Sequence, residues 1–161
     1  MLAVALLLPA CSAEKSTQTQ AKPVNDLEQA AISAGVIADP RSADITGLYA
    51  RDTDRLCIVP SATAWSAGVH VDYGDGLACS GQAAVSRSGE MLRFSFGSEG
   101  CAFDARFDGD RIVFPGRVPE ACQKLCSKRV SLAALDVERQ SDSAAEAATL
   151  RDSKGRLLCQ N

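Results

Sequence analysis

Cysteine and histidine are the side chains of this chain best suited to chemistry: there are seven of the first and one of the second, and their spacing decides what kind. His70 lies in "GVHVDY" with Asp72 two residues on, so in a strand the imidazole and the carboxylate share one face. Ser80 or Ser86 would complete the nucleophile, base and acid of a hydrolytic site. Side chains two apart on one strand point side by side, whereas such a triad needs its acid aimed at the far nitrogen of the ring. A non-catalytic histidine is therefore expected, with His70 and Asp72 as the pair to locate. Asp104, Asp108 and Asp110 surround Gly109, but calcium needs more oxygen ligands, and no EF-hand-type loop with a closing Glu is present. These aspartates read as turn chemistry, with Asp104 neutralising Arg106 and Arg111. Cys122 and Cys126 in "CQKLC" lack the second Cys pair or two His that complete a zinc site. Neither a metal nor a cofactor is expected.

The seven cysteines divide into one and six. Residues 2–8 form an apolar run far shorter than the roughly 20 residues that cross a bilayer, and of the length of a signal-peptide core. The run ends in Leu8-Pro9-Ala10-Cys11, which resembles the lipobox of bacterial lipoproteins: an apolar residue, a tolerant position, a small residue and an obligatory Cys. The resemblance implies that residues 1–10 are a signal peptide, that Cys11 receives a diacylglyceryl group, and that the new amino terminus is acylated too. Each buried methylene contributes ~0.8 kcal/mol, so two or three chains make a durable membrane anchor where one holds only marginally. No basic segment precedes the run, which places the expected start of the signal peptide upstream of Met1. Ser12 resembles the residue that follows the lipid in lipoproteins sorted to the outer membrane. The implied address is the bacterial cell envelope, lipid-anchored at the outer membrane and facing the periplasm.

Cys57, Cys79, Cys101, Cys122, Cys126 and Cys159 remain, an even set that permits three disulfides in any of fifteen pairings. Apolar residues make up 46% of the chain but aromatics only 5%, so the core is modest and gains from such staples, each contributing ~2–4 kcal/mol. The net charge of −3, with Lys and Arg scattered among Asp and Glu, provides no broad basic field for nucleic acid.

These residues must be positioned by a mostly β domain. Residues 11–25 are polar and contain Pro23, a tether; 26–40 carry a short helix and linker; 41–161 form a single disulfide-stapled domain. The helix is expected from Asn25 and Glu28 at capping-box spacing, with Leu27, Ala30, Ala31 and Ala34 as a narrow stripe. From Ile45 the apolar period becomes two, giving strands at 45–51, 55–60, 68–73, 77–86, 91–97, 101–107 and 111–115. With Asp108-Gly109 as a hairpin turn, Phe107 pairs with Asp110, Arg106 with Arg111, Ala105 with Ile112 and Phe103 with Phe114. With Ser88-Gly89 as another, Val85 pairs with Leu92, Ala83 with Phe94 and Arg87 with Glu90. "GRVPEACQKLCSKR" interrupts with a short helix pinned to the sheet by two disulfides. "VSLAALDVER" offers a last strand, "SDSAAEAATLRD" a helix capped by Ser143 and Glu146, and "GRLLCQN" a strand-like end. The fold expected is a small antiparallel meander closing into a barrel or a sandwich, with short peripheral helices.

The function expected is a non-enzymatic binding module for an envelope protein or a small ligand. A structural or stress-related envelope lipoprotein with no specific ligand is the alternative. In size and strand meander the domain also resembles periplasmic inhibitors of lysozyme or metalloproteases, which implies inhibition by analogy of scaffold alone. The Ser-Gly-rich loop with a following Tyr of lysozyme inhibitors is missing. Arg117, Lys124, Lys128 and Arg129 make a local basic cluster able to meet anionic lipid or a carboxylate-rich partner, and read first as a solvated rim.

Overall fold

The computed structural model describes residues 25–159 apart from Thr63 and Ser98. The expected signal peptide, Cys11 and the expected tether up to residue 24 lie outside the described residues. Helix α1 (Asn25–Ser33) is followed by strands β1 (Gly47–Arg51), β2 (Asp54–Pro60), β3 (Trp65–Asp72), β4 (Ala78–Ser88), β5 (Met91–Phe96), β6 (Ala102–Phe107), β7 (Arg111–Val113) and β8 (Asp136–Ser141), with α2 (Ala144–Ala147) after them. All neighbours pair antiparallel in chain order and β8 also pairs with β1, so the meander closes as an eight-stranded barrel. The alternation that produces it is plainest in "MLRFSF" of β5, where Leu92, Phe94 and Phe96 are buried and Met91, Arg93 and Ser95 exposed.

In both hairpins each residue's partner stands two residues beyond the expected one, so the turn centre moves by one. Phe107 pairs with Ile112 and Arg106 with Val113, so the central turn residues are Gly109 and Asp110. Arg87 pairs with Leu92 and Val85 with Phe94, which makes Gly89 and Glu90 the other turn. Each glycine stands first in its turn at positive φ, +60° for Gly89 and +97° for Gly109, with an L-residue second. A glycine at that position is the type II′ preference, whereas the expected turns had it second. Because the pairing sum moves by two, side chains stay on their faces, and Phe103, Ala105, Phe107, Ile112 and Phe114 are all buried. The charges re-pair: Asp104 accepts from Arg93 and not from Arg106 or Arg111, Arg106 pairs with Asp108, and Arg111 with Asp136.

Closure falls to β8, where Asp136 accepts hydrogen bonds from Arg111 on β7 and Arg51 on β1, one on each flank. The Arg111 guanidinium first, with Arg51 adding to it, holds the Asp136 carboxyl below the usual carboxylate range. A lowered folded-state pKa stabilises above the unfolded value, and that contribution is lost as pH falls through the folded one. Asp136→Asn is therefore expected to cost up to about 1 kcal/mol at neutral pH, since both arginines are partly solvated. In urea titrations the gap from the parent protein closes below the carboxylate range; a gap independent of pH would contradict the assignment.

Side chains fill the barrel, as suits eight strands. Phe94, Phe103 and Phe114 meet with ring centroids 4.9–6.1 Å apart, and Phe96 stacks on Phe103 at 5.7 Å. Tyr49 and Phe107, both fully buried, fill the other half, and the Tyr49 hydroxyl donates to the Ile45 carbonyl at 2.8 Å. Covers close both ends. At the Arg87 end of β4, Arg87 donates to the Pro40 and Ala43 carbonyls, and Arg139 to those of Asp44 and Thr46; both guanidiniums lie over Phe107. At the Cys79 end, a 3-10 helix (Glu120–Leu125) is held by Cys101–Cys122 and Cys79–Cys126. That is the expected pinning by two disulfides.

Three further expectations are corrected. β3 begins at Trp65, three residues before the expected start at 68. Only the second half of "VSLAALDVER" enters β8, because Leu132 and Leu135 turn into the core at the covered end. Residues 155–159 form no strand beyond a single bridge from Leu157 to Arg151. The short helix expected after the tether forms as α1, with Leu27 of its stripe exposed, as are Val36 and Ile37 beyond it.

Candidate functional site

Strands buried on one face alternate, but Leu56–Val59 of β2 and Ala67–Val71 of β3 are buried without a break. Both faces of these strands are therefore covered. Their outer face lies under residues 148–159, which cross it as a strap. Leu158 and Cys159 pack with Cys57, Val59 and Ala147 in an apolar cluster outside the barrel, joined by Leu48 and Leu150. One disulfide and one hydrogen bond tie the strap to the barrel, and a second hydrogen bond closes it on itself. Cys57–Cys159 is covalent, the Leu158 amide donates to the Leu150 carbonyl at 2.8 Å, and Gln82 Nε2 on β4 donates to the Leu157 carbonyl at 3.1 Å.

The strap lies directly on Gly68, where a Cβ would stand 2.4 Å from the Leu158 carbonyl oxygen and 2.5 Å from its Cβ. Gly68→Ala is expected to lift this segment and cost roughly 1–3 kcal/mol, the scale of overpacking. Exchange of the Leu158 amide hydrogen then accelerates while the Phe94 amide of the barrel stays protected. Equal acceleration of both would contradict a separately docked strap.

The turn of the strap is built on Asp152. Its Oδ1 accepts from the amides of Lys154 and Arg156, both at 2.9 Å, and its Oδ2 accepts from Arg156 Nε at 2.8 Å. Burial pushes the Asp152 carboxyl up, but the hydrogen bonds from Arg156 and Lys154 outweigh it and hold the group below the usual carboxylate range. Two clefts adjoin this turn and share Ser80, Asp152 and Arg156. One, of about 440 Å³, runs to Lys124, Ser127 and His70; the other, of about 610 Å³, runs to Gln82, Leu157 and Leu158.

His70 and Ser80 face each other across β3 and β4 as register partners and form the floor of the first cleft. His70 is 7% exposed, and neither its Nδ1 nor Ser80 Oγ has a hydrogen-bond partner, although both atoms are closed off from solvent. The register thus brings together the base and the hydroxyl that the sequence offered. Among the described residues it brings no acid to the ring. Asp72 is exposed at the end of β3, where its Oδ1 accepts from the Gly74 amide at 2.8 Å, and Asp152 is spent on the strap turn. The acid-to-imidazole contact of a hydrolytic triad is therefore not made.

Among the described residues, no group of three or more His, Cys, Asp or Glu is placed to hold a metal ion. Asp152, Lys154 and Arg156 escaped the sequence reading because they sit in a coil whose docking is set by Cys159. The signal that could have found the strap is the unbroken apolar run in β2 and β3, which demands a second cover. No protein-family model, curated protein or solved structure matches this chain.

Proposed function

We propose that this protein is a non-enzymatic binding module of the bacterial envelope, tethered through an acylated Cys11, that receives its ligand in the outer cleft between strap and barrel wall. The observation that carries this reading is the filled interior. Phe94, Phe107, Phe114 and Tyr49 leave the barrel no ligand chamber of the kind eight strands can otherwise enclose, and the polar concavities lie outside, along the strap. The unpartnered Nδ1 of His70 supports binding over hydrolysis. Three disulfides support an oxidising compartment, and they leave Cys11 as the odd sulfur, as a lipid carrier would be.

The test is an amide NMR titration of the isotopically labelled protein with a panel of neutral sugars, amino acids and phosphorylated metabolites. Shifts are expected to cluster at Ser80, Gln82, Ser127 and residues 152–158. Shifts confined to Phe94, Phe103 and Phe114, or none from any member, would overturn the reading.

A further inference from the structure

We propose that the cleft over His70 and Ser80 takes a phosphate-class oxyanion, the charged end of a small phosphorylated ligand. The inference rests on the reading of that cleft as the ligand site. Lys124, Lys154 and Arg156 line it against one carboxylate, Asp152. The Asp152 side chain is 2% exposed and its oxygens are taken by the strap amides and Arg156, so it neither repels a ligand strongly nor neutralises the lysines. Lys124 and Lys154 have no carboxylate within 4.0 Å among the described residues. This positive excess is local, on a chain whose net charge is −3.

Beneath the cationic rim lie His70 Nδ1 and Ser80 Oγ, buried and without partners. Buried polar atoms left unpaired are costly and rare, and at the floor of a cleft they call for a partner from outside the chain, a ligand oxygen or an ordered water. Three cationic groups, an imidazole and a hydroxyl line this one cleft. That is more donors than the two oxygens of a carboxylate can use, and it matches the several oxygens of a phosphate. A cleft of about 440 Å³ leaves room for the rest of the molecule.

Phosphate of this kind comes either from a soluble phosphorylated molecule or from a phospholipid headgroup, and the test separates them. The unacylated full chain is titrated with inorganic phosphate and with glycerol 3-phosphate, and separately with phosphatidylglycerol or phosphatidylcholine vesicles. Saturable shifts are expected at Ser80, Ser127, residues 152–156 and the His70 ring. The pair Lys124→Gln and Lys154→Gln, both on exposed side chains, is expected to weaken binding about tenfold or more. Lys128→Gln, outside the cleft, leaves it unchanged. Response to glycerol 3-phosphate assigns a soluble source, and response to phosphatidylglycerol vesicles alone assigns a headgroup. Non-saturable shifts, or equal weakening by Lys128→Gln, would overturn the proposal. If a neutral sugar moves the same residues and phosphate does not, the oxyanion is wrong and the cleft stands; if no probe moves them, both fail.

Discussion

Replacing Cys57 and Cys159 together by alanine is expected to lower the unfolding free energy by about 4–5 kcal/mol, the largest loss among the three disulfides. Cys57–Cys159 spans 102 residues, against 47 for Cys79–Cys126 and 21 for Cys101–Cys122. Cross-linking a chain removes entropy from its unfolded state in proportion to the logarithm of the loop, so the other two contribute about 4.0 and about 3.3 kcal/mol. Alanine suits the site because both sulfurs sit in the apolar cluster under the strap, where a serine hydroxyl would add its own desolvation cost. Urea unfolding of the oxidised variant measures the loss. The same variant frees the end of the strap that forms one wall of both clefts, so the proposed binding there is expected to be lost with it. A loss under about 1 kcal/mol with ligand binding intact would show that Asp152 and the apolar cluster hold the strap unaided.

Phe94→Ala is expected to cost about 3–5 kcal/mol while leaving cleft binding untouched. Phe94 is fully buried, and its ring lies 5.0 Å from that of Phe114 and 6.1 Å from that of Phe103. Removing it leaves a cavity that neighbours fill only in part, because strands paired on both sides cannot move inward freely. The pairing of a large stability loss with unchanged affinity separates the barrel's two faces: the inside makes the scaffold and the outside carries recognition. Thermal unfolding together with a ligand titration reads both quantities. A stability loss under about 1 kcal/mol would contradict the close-packed interior, and altered ligand affinity would move the site inside the barrel.

Faces were more legible in this sequence than registers. Period two in "CAFDARFDGDRIVF" and "AAVSRSGEMLRFSF" identifies which side chains turn inward, and this survives a register shift of two because parity is kept. Whether glycine stands first or second in the turn is not written in Asp-Gly or Ser-Gly, and both hairpins took the other choice. The disulfide pairing was illegible for a different reason: it follows from which strands lie beside which covers. Cys79 meets Cys126, and Cys101 meets Cys122, only because the 3-10 helix crosses one end of the barrel.

The site was half legible. Ser80 stood among the possible partners of His70, but their register depends on the loop from Tyr73 to Leu77, where Gly74, Asp75 and Gly76 all take positive φ. No pattern of apolar residues reports such a loop, and none reports where a coil such as 152–156 will dock. The exposed Asp72 spends its Oδ1 on the Gly74 amide at 2.8 Å, at the start of that same loop.

The most direct measurement is the intact mass of the native protein recovered from the bacterial envelope, alkylated before and after reduction. A tethered, stapled barrel predicts added acyl mass at Cys11 and six thiols that react only once the protein is reduced. An unacylated, water-soluble product with all seven cysteines alkylated before reduction would contradict it.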